Sequence, residues 1–227
     1  FASVFETVFN PSPSNYNLPP SAVPSDDVFH LGQCSEDDVS NAIKKLKTTK
    51  AVGPDQIPSY ILRACSDSLV GPLTFIFNLA LASSVFPSAF KSSYVTPVPK
   101  KGISNLYNFR PISILSPFSK VFEQIIYDRV YWHVSNRISP RQHGFIKKKS
   151  TLTNLLSFVY DIYLAFSLKF QLDCIYIDFE KAFDKLHHDI ILSKLSNFDF
   201  HSSALSFFAS YLRDRYQHVR YKGSFSH

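Results

Sequence analysis

The sequence predicts an α+β fold, in which helices and strands occupy separate stretches of one chain. Apolar residues recur at helical spacing in residues 39–46 and again in 152–163. Two runs rich in apolar and β-branched residues, 92–99 and 109–115, flank a Lys-Lys-Gly segment, as in two strands of a long hairpin. With 45% hydrophobic and 15% aromatic residues in 227, the composition supports a real core and excludes wholesale disorder.

Residues 1–30 are predicted to form a linker or N-terminal extension. Five prolines lie between Asn10 and Ser25, a density that interrupts both helix and strand patterns. The first basic residue is Lys44, and residues 1–40 contain six acids. Because the whole chain carries +6, residues 41–227 carry +12, a balance that suits a polyanionic partner such as nucleic acid.

The helices are predicted from their caps and their periodicity. Ser35 and Asp38 form a capping-box start for a first helix, and a second is expected from about Pro72 to Ala82, with proline in the tolerated first turn. Ser116-Pro117 is a cap followed by proline, which opens a helix through about His133. Further helices are predicted near 150–167, 186–196 and 203–213.

Two further strands are predicted from apolar runs. Residues 172–179 are rich in Ile, Tyr and Phe, and residues 216–222 follow the last predicted helix. The first of these strands would deliver the carboxylate of Asp178 at its end. An acid at such a point needs a partner, and two remain open: a helix N-terminus that it caps, or a hard metal ion such as Mg²⁺.

Several classes are disfavoured. Three widely spaced cysteines form no C-x-x-C pair, so neither a zinc site nor a disulfide framework is indicated, and a reducing compartment is the simpler assumption. No apolar run reaches the length of a membrane span, and the N-terminus lacks the basic region of a signal peptide. Since the chain contains no Met, we expect an excised or truncated segment.

The segment Tyr176-Ile177-Asp178-Phe179-Glu180-Lys181-Ala182-Phe183-Asp184 resembles the first palm motif of non-LTR (LINE-type) reverse transcriptases. Four upstream motifs are similar to that family's in order and approximate spacing. They are Lys50 with Gly53-Pro54-Asp55 and Ile57-Pro58, then Pro97-Val98-Pro99-Lys100-Lys101-Gly102, then Asn108-Phe109-Arg110-Pro111-Ile112-Ser113, and then Gln142-His143-Gly144-Phe145. One such motif would be weak evidence, but several in register make a coincidence improbable.

The resemblance implies the fingers of a right-hand polymerase over residues 31–170 and a partial antiparallel palm sheet over 171–227, truncated before the catalytic Tyr-x-Asp-Asp hairpin. It implies an RNA-directed DNA polymerase that uses Mg²⁺, with Mn²⁺ as an alternative. The implied partners are an RNA template, a DNA primer and deoxynucleoside triphosphates, with no membrane, and action in the nucleus is implied by the family alone.

By the same resemblance, Asp178 would be the catalytic metal-binding carboxylate, with the carbonyl of Phe179 as a further oxygen ligand. Phe183 would lie under the incoming sugar and exclude the 2′-OH, the group that distinguishes RNA from DNA precursors. The alternative for Phe183 is an ordinary core aromatic.

Positively charged residues complete the implied site. Lys100 or Lys101, together with Arg110, would hold the triphosphate, since a guanidinium can bind phosphate oxygens in a bidentate fork. Lys147, Lys148, Lys149 and Arg215 would contact the template or primer backbone without reading sequence. For each lysine the alternative is a solvated surface charge.

One motif carboxylate would hold cations poorly in a two-metal mechanism, so we expect this chain to be inactive by itself. The main alternative is a non-catalytic nucleic-acid-binding remnant of a retroelement, which would bind RNA with strong salt dependence. A metal-dependent phosphatase or nuclease built around Asp178 is a third interpretation. An incomplete sheet would also expose apolar surface, which predicts poor solubility.

Overall fold

A computed structural model of the chain describes residues 2–3, 28–100, 109–179 and 181–226. Most of the predicted N-terminal linker and the tip of the predicted hairpin lie outside the described residues. The described helices are α1 (Glu36–Lys45), α2 (Ser59–Ala64), α3 (Ser66–Ser83), α4 (Pro117–Val134), α5 (Thr151–Ser167), α6 (His188–Ser196) and α7 (Ser202–Leu212). The strands are β1 (Ser92–Pro99), β2 (Phe109–Leu115), β3 (Tyr216–Tyr221) and β4 (Ser224–Phe225). The α+β prediction is therefore confirmed.

Two compact units divide the chain. The larger unit combines the residues up to Val130 with those from Lys181 onward, and the smaller unit comprises Tyr131–Glu180. The division into fingers and palm at residue 170 stays a prediction. Among the described residues, no helix combines the length and the apolar character needed to cross a bilayer.

Helix α1 begins as its capping box predicts. The Ser35 hydroxyl accepts a hydrogen bond from the Asp38 amide at 3.1 Å, and the Asp38 carboxylate accepts one from the Ser35 amide at 3.0 Å. Two of the four free N–H groups at a helix start can be satisfied in this way. Val39, Ala42 and Ile43 bury the apolar face.

Helix α3 starts six residues before the predicted position. It begins at Ser66, so Pro72 lies in the helix interior and not in its first turn. Proline there has no N–H to donate, and its ring strains the preceding turn. The helix persists because its face buries Leu73, Phe77, Ala80 and Leu81 in the core, and core packing outweighs local propensity.

Four phenylalanines form the centre of the core in the larger unit. Phe77 and Phe122 stack with ring centroids 4.4 Å apart, and Phe86 stacks on Phe122 at 5.7 Å. Phe207 meets Phe86 and Phe122 edge-on at 5.9 and 5.8 Å. All four are fully buried. The cluster joins α3, α4 and α7, which are far apart in sequence.

The sheet has strand order β2-β1-β3-β4. β1 pairs antiparallel with β2 from Ser93 opposite Leu115 to Pro99 opposite Phe109, which confirms the predicted hairpin strands. β1 pairs parallel with β3, from Ser92 opposite Tyr216 to Val95 opposite Val219, and β4 is antiparallel to β3.

A purely antiparallel arrangement is wrong for this four-stranded sheet, which is mixed, whereas the pair within the predicted palm range 171–227, β3 with β4, is antiparallel. The assignment of that range to a palm stays a prediction. A parallel pair requires a long crossover connection, which the chain between β2 and β3 supplies through several helices. At the start of β3, the Tyr216 amide donates a hydrogen bond to the Lys91 carbonyl at 3.1 Å. This bond opens the parallel pairing with β1.

The predicted strand at 172–179 is also wrong. Residues 171–179 have no regular secondary structure, and their side chains are exposed, including Ile175 at 88%. A strand needs a neighbouring strand to pair its N–H and C=O groups. No described strand pairs with this segment. A run of β-favouring residues sets the propensity, but it does not supply the partner.

Helix α5 leaves its apolar side chains uncovered in the structure. None of its residues is buried, and the exposed ones include Leu152, Leu155, Leu156, Val159 and Tyr163. Exposed apolar surface of this extent favours association. The predicted poor solubility of the isolated chain stays a prediction, and α5 is the described feature that would cause it.

Two phenylalanines on α3 provide a direct test of the core. Phe77→Ala removes a fully buried ring, so the free energy of unfolding should fall by roughly 3–5 kcal/mol. Phe75→Ala removes a ring that is 66% exposed on the same helix, so its effect should stay within about 0.5 kcal/mol. Urea denaturation followed by circular dichroism measures both, and equal losses would contradict this core.

Candidate functional site

Alternation along the strands gives the mixed sheet two different faces. Side chains at successive positions point to opposite faces of a strand. Ser93, Val95 and Pro97 of β1 lie on the buried face, where Val95 packs with Val219 and Phe109. The opposite face, which we call the open face, includes Tyr94, Val98, Arg110, Ile112, His218 and Arg220. Its members are exposed or half-buried.

Arg110 and Lys100 lie near the outer end of the hairpin. Arg110 is an exposed residue of the open face, opposite Val98 in the antiparallel register. Lys100 is exposed and directly follows the Pro99–Phe109 pair, and Arg110 is adjacent to the same pair on β2. Lys101 lies outside the described residues. Two positive charges thus flank one cross-strand pair.

Phe183 lies in a turn of the larger unit. The Lys185 amide donates to the Lys181 carbonyl at 3.1 Å, and Lys181 has a positive φ of 53°. The Phe183 side chain is 72% exposed, so it is not an ordinary core aromatic in this structure. Its predicted contact with a sugar stays a prediction.

Asp178 and Phe179 belong to the exposed segment 171–179 of the smaller unit. The Asp178 carboxylate is exposed, and the Phe179 side chain is 75% exposed. A carboxylate and a backbone carbonyl are the oxygen ligands that Mg²⁺ prefers. The described residues contain no group of three or more His, Cys, Asp and Glu side chains placed to hold a metal ion. The two residues offer oxygen atoms of the kind that Mg²⁺ prefers, and their predicted role as metal ligands stays a prediction.

The lysine run of the smaller unit is held by nearby groups. The Lys147 ammonium lies 4.9 Å from the Tyr131 ring centroid, and the Lys147 amide donates to the Tyr131 hydroxyl at 3.3 Å. Lys149 donates to the Pro140 carbonyl. Lys148 is exposed and has a positive φ of 65°. The three lysines predicted to bind phosphate are therefore adjacent, and their side chains have different surroundings.

A cleft of about 650 Å³ lies within the larger unit. This volume falls within the usual range of small-molecule sites. Its polar lining includes Ser93, Ser113, Asp184, His188, Arg213 and Arg215. Of these residues, only Arg215 is among the predicted site residues. The cleft brings it beside Arg213 and His188, whereas Arg110 lies on the other face of β2.

Arg215 makes mainly internal contacts. Its Nη1 donates to the Tyr211 carbonyl at 3.0 Å, and its guanidinium lies 4.7 Å from the Tyr211 ring centroid. Its positive charge also acts on the half-buried carboxylate of Glu123. A guanidinium held in this way stabilises the fold, and its predicted contact with nucleic acid stays a prediction.

Glu123 and Tyr211 form a half-buried polar pair that sequence reasoning missed. Burial raises the pKa of the Glu123 carboxyl, against the opposing effects of the Ser119 hydroxyl at 3.1 Å, Arg215, Tyr211 and Lys120. Burial also raises the pKa of the Tyr211 phenol, and the Glu123 charge raises it further. The available signal was the position of Glu123 directly after the buried Val121-Phe122 pair of α4.

Comparison with known proteins gives the class of this chain. Residues 98–226 match the family model described as reverse transcriptase (RNA-dependent DNA polymerase). That match covers more than half of the chain and contains every predicted site residue. The chain therefore belongs to the reverse transcriptase family.

Two of the similar proteins are named as RNA-directed DNA polymerases of mobile elements. The chain is 30% identical over 194 residues to "Probable RNA-directed DNA polymerase from transposon BS" of Drosophila melanogaster, covering 84% of this chain and 21% of that protein. It is 29% identical over 216 residues to "RNA-directed DNA polymerase from mobile element jockey" of the same species, covering 93% and 22%.

A third relative is the "Retrovirus-related Pol polyprotein from type-1 retrotransposable element R1" of Bradysia coprophila, 28% identical over 163 residues, covering 70% of this chain and 16% of that protein. The predicted relation to non-LTR, LINE-type reverse transcriptases is confirmed. The chain spans about a fifth of the length of the first two relatives.

Glu123 predicts a specific dependence of stability on pH. A carboxyl whose pKa is raised on folding adds stability below its unfolded pKa, and that contribution is lost as pH rises through the folded pKa. Glu123→Gln removes this loss. The stability of the variant relative to the native chain should therefore be greater at pH 7 than at pH 4, as measured by urea denaturation at both values. A difference that is the same at both pH values, or larger at pH 4, would contradict the burial of this carboxyl.

Proposed function

We propose that the chain is the part of an RNA-directed DNA polymerase that supplies its fingers, residues 31–170, and the start of its palm, residues 171–227. The reaction adds deoxynucleotides to a DNA primer on an RNA template. The observation that carries this proposal is the reverse transcriptase match over 98–226, which includes the last two residues of β1, the whole of β2 and the Asp178 segment. Because the relatives are about five times longer, we assign the complete activity to a longer protein.

In this proposal Asp178 and the Phe179 carbonyl hold a divalent cation, Mg²⁺ or Mn²⁺. When bound, such a cation stabilises the charge on the reacting phosphate oxygens. The exposure of both residues supports the assignment, since a ligand to a substrate-bound metal must be reachable from solvent. The remaining acidic ligands would come from the longer protein, because one carboxylate leaves most of the cation charge unbalanced.

The hairpin residues orient the nucleotide in this proposal. Arg110 holds phosphate oxygens through its planar guanidinium, and Lys100 or Lys101 adds a point charge on the opposing side of the hairpin. The exposed positions of Lys100 and Arg110 beside the same cross-strand pair support this role. Phe183, an exposed ring in the larger unit, excludes the 2′-OH of the wrong sugar.

Nucleic acid binding is assigned to the lysine run and to Arg215. Lys147, Lys148 and Lys149 carry three positive charges in one short segment, which suits a phosphate backbone. Arg215 is the weaker assignment, since its guanidinium is engaged with Tyr211 and Glu123. A non-catalytic nucleic-acid-binding remnant would keep these contacts and lack the chemistry.

A primer-extension assay tests the activity. With Mg²⁺, deoxynucleotides and an RNA–DNA primer-template, the 227-residue chain should incorporate nothing. In the longer protein, Asp178→Ala should reduce incorporation by roughly 10²–10³-fold or more, as expected for loss of a group that stabilises transition-state charge. Templated incorporation by the 227-residue chain that Asp178→Ala abolishes would refute its inactivity. No incorporation by the longer native protein would favour the non-catalytic remnant.

The salt dependence of RNA binding tests the lysine run. Lys148→Gln removes one exposed charge with little change in size, so the slope of log K against log salt should decrease in magnitude by about 0.7 for a single-stranded RNA. Lys44→Gln, an exposed lysine of α1, is the matched control and should leave the slope unchanged. Equal slopes for Lys148→Gln and the native chain, measured by fluorescence anisotropy, would remove Lys148 from the interface.

A further inference from the structure

The loop between α1 and α2 is closed on itself and contains the Gly53-Pro54-Asp55 motif. Val52 and Pro58 form an isolated antiparallel bridge, and the Gln56 amide donates to the Gly53 carbonyl at 3.0 Å. The Ser59 hydroxyl, at the start of α2, donates to the Lys47 carbonyl at 2.7 Å. The loop is thus closed by its own contacts and fastened to the start of α2.

Asp55 contacts the junction between β2 and α4. The Ser116 hydroxyl donates to one oxygen of the Asp55 carboxylate at 2.5 Å, and the Ile57 amide donates to the other at 3.2 Å. Ser116 is 4% exposed and lies between the last residue of β2 and the first of α4. The Ser116 hydroxyl oxygen also accepts a hydrogen bond from the Phe118 amide at 3.2 Å, one of the free N–H groups in the first turn of α4. Asp55 therefore orients the hydroxyl that caps this helix.

Gly53 touches the same junction through its backbone. A Cβ atom at this position would lie 2.8 Å from the Leu115 carbonyl carbon and 2.8 Å from the Ser116 nitrogen. Both are main-chain atoms, which cannot move aside as a flexible side chain can. The close approach of the two backbones therefore requires glycine.

The loop also reaches the other strand of the hairpin. The Gln56 side-chain amide donates to the Tyr94 hydroxyl at 3.2 Å and to the Gly53 carbonyl at 3.2 Å. Tyr94 lies in β1, opposite Ile114 of β2. One loop therefore contacts both strands at the end of the hairpin opposite to Lys100 and Arg110.

We propose that Gly53, Asp55 and Gln56 form a bracket that positions the β1–β2 hairpin against the helical core. The three are positioning residues: each contacts the hairpin or its junction with α4, and both Asp55 oxygens accept hydrogen bonds from within the fold. The consequence for nucleotide binding rests on the proposed function, in which the hairpin carries Lys100 and Arg110. The bracket itself is a property of the fold.

Hydrogen exchange of the purified chain tests the bracket. Asp55→Asn removes one acceptor oxygen and keeps the size, and Gly53→Ala introduces the excluded Cβ. Each should accelerate amide exchange in β1 and β2 by about tenfold or more. In the native chain, opening of the hairpin must break these contacts, so their loss lowers the free energy of opening. Amides of α3 and α7 should exchange as in the native chain.

Matched controls separate the bracket from general destabilisation. Gly32→Ala adds a Cβ with no heavy atom within 4 Å, and Asp161→Asn changes an exposed acid of α5 in the smaller unit. Neither should alter exchange in β1 or β2. Unchanged hairpin exchange in both bracket variants, or equal acceleration throughout the α3 and α7 amides, would overturn the proposal.

Measurements of nucleotide binding distinguish the bracket proposal from the proposed function. Lys100→Gln and Arg110→Gln should weaken binding of dTTP with Mg²⁺ to the longer polymerase, seen as a raised KM with a smaller change in kcat. Asp55→Asn should raise the same KM, and it should leave the KM for primer-template unchanged. If Lys100 and Arg110 prove dispensable while hairpin exchange still depends on Asp55, the proposed function fails and the bracket stands.

Discussion

Burial of four phenylalanine rings is the interaction on which the larger unit depends. Phe77, Phe86, Phe122 and Phe207 come from α3, the segment after it, α4 and α7, and their rings lie within 4.4–5.9 Å of a neighbour in the cluster. Aromatic rings combine a large buried area with a defined geometry. By placing α7 against α3 and α4, the cluster delivers the chain that follows α7 to the edge of β1, where it becomes β3 and makes the sheet mixed.

The polar groups of the larger unit follow from that packing. Tyr211 lies one helical turn after Phe207 and meets Phe86 edge-on at 4.9 Å, so its hydroxyl is carried into the interior beside Glu123. A carboxylate in this environment needs compensation, which Ser119, Tyr211 and Arg215 supply. The consequence for function is that Arg215 is occupied with the fold, whereas Lys100 and Arg110 remain on exposed surface.

Membership of the reverse transcriptase family and the details of the site rest on different grounds. The family follows from the match over residues 98–226, whereas the role of each residue must be argued from its own environment. The hairpin presents two cations and is fastened at its other end by Gly53, Asp55 and Gln56. In the proposed function, a hairpin held at one end and binding the triphosphate at the other would keep its geometry while it binds a charged substrate.

The sequence by itself determined the local elements and the family. The capping box of α1, the Ser116-Pro117 start of α4 and the bounds of β1 and β2 depend on residues close in the chain, so they can be read from it. The motifs around Arg110 and Asp178 likewise identify the class, because each is a short run of adjacent residues. The Gly53-Pro54-Asp55 motif is visible in the same way, but its contact with Ser116 is not.

Tertiary structure alone decided the rest, because it depends on partners distant in sequence. Three features depend on residues more than 60 positions apart. They are the parallel pairing of β3 with β1, the burial of Glu123 beside Tyr211 and Arg215, and the contact of Asp55 with Ser116. Residues 172–179 have a strand-like composition and find no strand partner among the described residues. A local pattern sets what a segment can form, and only the surrounding fold supplies the groups that complete its hydrogen bonds.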